Sequence, residues 1–84
     1  MSMKEDRLRL QGQLAEHRHL LKNYDMEVSG LVILIRELIN PFEEDVTRLR
    51  TGQAMQNMKR LDKCVEKMKE LQASIKKIED DLGV

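Results

Sequence analysis

Tryptophan is absent from this sequence, and proline, cysteine, phenylalanine and tyrosine occur once each. Each scarcity excludes something. Tyr24 and Phe42 are too little material for a base-stacking platform or an aromatic-lined ligand pocket. Cys64 alone cannot close an internal disulfide, so no oxidising compartment is implied and a cytoplasmic setting is expected. Charge of one sign is not in excess either: Lys+Arg and Asp+Glu number 15 each. That balance argues against a dedicated nucleic-acid surface and against an anionic-membrane binder. The longest apolar run, Leu31–Ile35, is too short to span a bilayer, so no membrane partner is expected. The opening MSMKEDRLRL lacks the apolar stretch of a signal peptide.

What is present is charge, at 36% of residues, set among helix-forming residues with few breakers. Ser2 with Glu5 three positions on fits a capping box, in which serine takes a free amide and glutamate reaches back. From there, Leu14, Leu21, Val28 and Ile35 form one row at heptad spacing. Leu10, His17, Tyr24, Leu31 and Leu38 form another. The two rows make one stripe and predict a helix over about 2–39.

Asn40-Pro41 then punctuates the chain. Proline cannot continue a helix, but it suits the first turn of a new one. Asn40 is a good N-cap, and Glu43, Glu44 and Asp45 favour the positive end of a helix dipole. A turn at about 40–41 and a second helix over about 41–82 are therefore expected, with Gly83 as its C-cap. The second stripe is Ala54, Met58, Leu61, Val65, Met68, Leu71, Ile75, Ile78 and Leu82. Phe42, Val46 and Leu49 run out of phase with it, which suggests a bend or break at 51–53 around Gly52.

Two halves of similar length predict an all-α, single-domain fold over 1–84: a long antiparallel, coiled-coil-like hairpin. A turn at Asn40-Pro41 would set Ile35 beside Val46, Leu14 beside Met68, Leu10 beside Leu71, and Gly30 near Gly52. The two small residues would then let the helices approach closely.

The segment SGLVILIRELINPFEED holds more apolar surface than one partner helix covers. At about 100° per residue, Leu31, Ile35 and Leu38 face the hairpin partner, whereas Val32, Ile33 and Leu34 cannot all do so. Together with Leu31, Ile35, Leu38, Ile39, Phe42, Val46 and Leu49, they form the candidate interface. Three covers are open: a second copy, completing a multi-helix bundle with a dimer favoured, the Phe42–Leu49 segment folded back over the patch, or another protein partner.

His17 and His19, two apart, point to opposite sides of a helix and cannot share an ion. His17 near Cys64 in that register would give two ligands, too few for a closed metal site. No cofactor or metal is expected. Lys59, Lys63, Lys67 and Lys69 are interleaved with Asp62, Glu66 and Glu70, as on a solvated helix face. The catalytic checklist finds no constellation. The chain reads as a non-enzymatic interaction or scaffolding module that self-associates through the tip patch. The alternatives are a chaperone-like or phage-type adaptor binding a partner helix, and a nucleic-acid-associated regulator using the Lys59–Lys69 face.

Overall fold

Apolar residues recurring every three or four positions build a helix whose one face needs cover, and this chain covers it with itself. The computed structural model describes residues 3–84, so Ser2 of the expected capping box lies outside the described residues. Helix α1 spans Met3–Leu38 and helix α2 spans Thr51–Leu82. They pack antiparallel into a rod of 66 × 16 × 15 Å, and the described residues contain no strand. No helix among them is long and apolar enough to cross a membrane.

The second helix does not begin at Pro41. Residues 39–50 form a connection that holds one short 3-10 turn, Val46–Arg48. Asn40 caps a turn rather than a helix: its side-chain oxygen accepts from the Phe42 amide at 3.0 Å, and its carbonyl accepts from the Glu43 amide at 3.2 Å. Asp45 caps the 3-10 turn, accepting from the amide and hydroxyl of Thr47 at 3.0 and 2.6 Å. Such short-range side-chain bonds give the backbone an alternative to helix. Reversal supplies the larger reason. Packed helix axes lie about 8–10 Å apart, and the single residue Asn40 between Ile39 and Pro41 is a shorter link than the roughly two to five residues that antiparallel helices use.

The crossing ends where the Arg50 amide donates to the Leu38 carbonyl at 3.3 Å, tying the end of α1 to the start of α2. Gly52 then lies in the first turn of α2, so the expected break at 51–53 is the beginning of the helix. The far end closes on Gly83, at φ 77°, whose amide donates to the Asp80 carbonyl at 3.2 Å. The Val84 amide donates to the Glu79 carbonyl at 3.0 Å, completing a Schellman motif.

The longer connection slides α2 by about two helical turns from the register of a tight turn. Leu14 clusters with Ile75, Ile78 and Leu82, not with Met68, and Leu10 packs against that same cluster rather than lying beside Leu71. Ile35 is buried in the seam, while Val46 sits in the connection and is exposed, so these two are not level. Nor do glycines bring the helices together. A methyl group added at Gly30 or Gly52 would meet nothing within 4 Å. Polar links pin the register along the rod. Arg7 donates to the Leu82 carbonyl at 3.2 Å, Arg18 pairs with Glu79 at 3.6 Å, and Arg60 donates to Glu27 at 2.7 Å.

Candidate interface at the hairpin tip

The seam changes character along the rod. In the open half, large residues meet large ones: Leu14, with Leu10 and Leu21, against Ile75, Ile78 and Leu82. In the tip half α1 still buries large residues, Leu31, Ile35 and Leu38, but the buried residues of α2 there are the small Ala54 and Cys64. Met58, expected in the seam, is 49% exposed, and Cys64 is buried there one residue before Val65 of the expected stripe. Leu31, Ile35 and Leu38 are thus consumed by the hairpin itself.

The rest of the candidate patch stays in solvent. Val32, Ile33, Leu34 and Ile39 are all exposed, with Ile33 at 60%. Phe42 is 87% exposed, and Val46 is exposed as well. The Phe42–Leu49 segment, one of the covers the sequence leaves open, therefore does not fold over the patch as a third core element. That segment divides the patch instead. On one side, Ile33, Ile39 and Phe42 line an open groove of about 660 Å³ with Arg36, Glu37, Asn40 and Pro41. On the other, Leu34 and Leu38 meet Leu49 in a hollow that also holds Glu43, Arg48 and Arg50. Val32 and Val46 line neither.

Met26 and Met55, which the sequence reads as flexible core packing, are instead exposed in the tip half. Met55 follows Ala54, and one step of about 100° carries it off the seam, which is the signal that would have found it. Among the described residues, the open half contributes only Met3, Leu8, Leu20 and Val84 to the exposed large apolar residues.

Electrostatics separate the same two regions. In the tip half, Arg36 stands in the last turn of α1, where a cation favours the negative end of the dipole. Among the described residues neither Arg36 nor its neighbour Glu37 forms an ion pair. Elsewhere, lysines of the basic stretch are matched on their own helix: Lys67 with Glu70 at 3.5 Å and Lys69 with Glu66 at 3.7 Å, all exposed. His17 shares a hydrogen bond of 3.0 Å with Ser74 across the helices. Ser74 lies ten residues beyond Cys64 on α2, about 15 Å along the axis, so His17 and Cys64 do not come together. Burial raises the Cys64 thiol pKa above its ordinary value, and the charge and hydrogen bonding of Glu27 add to this against the opposing Arg60. Asp45 is held below the ordinary aspartate value, first by the Thr47 hydroxyl and then by the Thr47 amide.

No family model matches the chain, and neither does any curated protein or solved structure.

Proposed function

We propose that this chain is a non-enzymatic protein–protein interaction or scaffolding module that self-associates through the apolar surface at its hairpin tip. The observation that carries the reading is the uncovered patch around Ile33, Ile39 and Phe42. Contiguous apolar surface of this kind marks an interface in a water-exposed protein.

Area supports a second copy as the cover. The chain exposes 6878 Å², whereas a compact monomer of its mass exposes about 5,200 Å² by size scaling. A standard interface takes about 800 Å² from each partner, roughly half of that difference. A two-helix rod has no third layer of its own, and pairing two rods supplies one.

Sedimentation equilibrium on the pure protein tests the reading. A dimer is expected in the micromolar range. Ile33→Glu places a charge in the patch and should give a monomer. A wild-type chain that stays monomeric at high concentration, or an Ile33→Glu chain that stays dimeric, overturns the proposal.

A further inference from the structure

We infer that two copies meet at their tips about a two-fold axis running along the rod, with Arg36 of each set against Glu37 of the other. This rests on the self-association proposed above and names its geometry.

The argument starts from the groove beside Ile33. Arg36 and Glu37 line it together with Ile33, Ile39 and Phe42. Consecutive helix residues point about 100° apart. Ile33 lies three residues before Arg36 and four before Glu37, so its direction falls between theirs. One flank of the Ile33 face therefore carries a cation and the other an anion. Both side chains are exposed, and neither has an ion-pair partner among the described residues.

Symmetry then decides the orientation. In an antiparallel pair of identical helices, like flanks meet, so Arg36 would share a flank with Arg36 of the second copy and not with its Glu37. In a parallel pair, opposite flanks meet, and each Arg36 finds a Glu37, twice over. Flanking charges set orientation and partner choice in helix pairs for this reason. The apolar centre of the contact is then Ile33 with its counterpart, bordered by the exposed Phe42. Three turns toward the open end, the same face of α1 presents Lys22. Two like charges on the axis drive the copies apart there, so they diverge toward their open ends and touch at the tips.

Charge reversal tests this directly, read by the dimer dissociation constant in sedimentation equilibrium at low salt. Arg36→Glu and Glu37→Arg are both exposed changes, and unchanged far-UV circular dichroism at low concentration will show the fold retained. Each single variant turns two attractions into two repulsions and should weaken the dimer by about tenfold or more. The double variant Arg36→Glu/Glu37→Arg exchanges the partners and should return to within a few-fold of wild type. Singles that leave the dimer intact while Ile33→Glu dissociates it overturn this geometry and leave self-association standing. Singles that weaken it without recovery in the double variant overturn the direct pairing. A wild-type monomer removes both.

Discussion

The open half and the tip half of this hairpin use the same helices in different ways. In the open half the seam sets large residues against large ones, and the large apolar residues left outside it, Met3, Leu8, Leu20 and Val84, are scattered. In the tip half the buried residues of α2 are small, and large apolar residues stand outside. The contrast teaches that a two-helix rod can close one part of itself and leave another part open to a partner. Three cross-helix polar links reinforce the closed part, those of Arg7 and Arg18 and the His17–Ser74 bond, while Arg60 pairs with Glu27 in the tip half. None of them reaches the groove by Ile33.

The largest expected effect contrasts two isoleucines. Ile75 is 8% exposed in the open-half cluster, and Ile75→Ala should cost about 2–4 kcal/mol in urea unfolding. Ile33→Ala, measured at concentrations below dimer dissociation, should cost under about 0.5 kcal/mol, as exposed substitutions do. Equal costs would break the comparison, because Ile33 would then belong to a core within the chain.

A smaller effect comes from two mid-helix glycines with open space beside them, Gly12 and Gly30. Alanine at either should stabilise the dilute chain by about 0.5–1 kcal/mol through helix propensity. At concentrations where the dimer forms, the Gly12 gain should persist and the Gly30 gain should shrink, since Gly30 is one turn from Ile33. Thermal melts at two concentrations read the difference, and equal gains at both would show that no copy approaches Gly30.

The smallest effect is a local titration in the connection. The folded-state pKa of Asp45 lies below its unfolded value. Its contribution to the turn is therefore present above the unfolded value and is lost as pH falls through the folded one. Carboxyl NMR should find Asp45 titrating below the ordinary aspartate range, and Thr47→Val should return it toward that range. Amides of the open half should not follow the transition. If they do, the tip and the open half are not separable.

Much of this was legible in the residues. The heptad rows fix α1, because amphipathic period is a property of neighbouring positions. The excess around Val32, Ile33 and Leu34 is legible for the same reason: three adjacent apolar residues cannot share one face. The start of α2 was not legible. Asn40-Pro41 followed by three acids carries every local mark of a helix start, yet it forms turns. The true start at Arg50 has no side-chain capping bond and no acid in the first turn. Nothing local advertises it. What fixes it is the Arg50 amide reaching the Leu38 carbonyl, a contact between segments.

The sequence by itself therefore determined that the chain is two helices folded back on each other, with a greasy tip. Periodicity and breakers act over a few residues and can be read there. Only the tertiary structure decided where α2 begins, which residues lie level, and that Phe42–Leu49 leaves the patch bare. Those depend on the distance the chain must cross between two axes and on which large side chains of α2 reach Leu14, and neither is written in any single stretch.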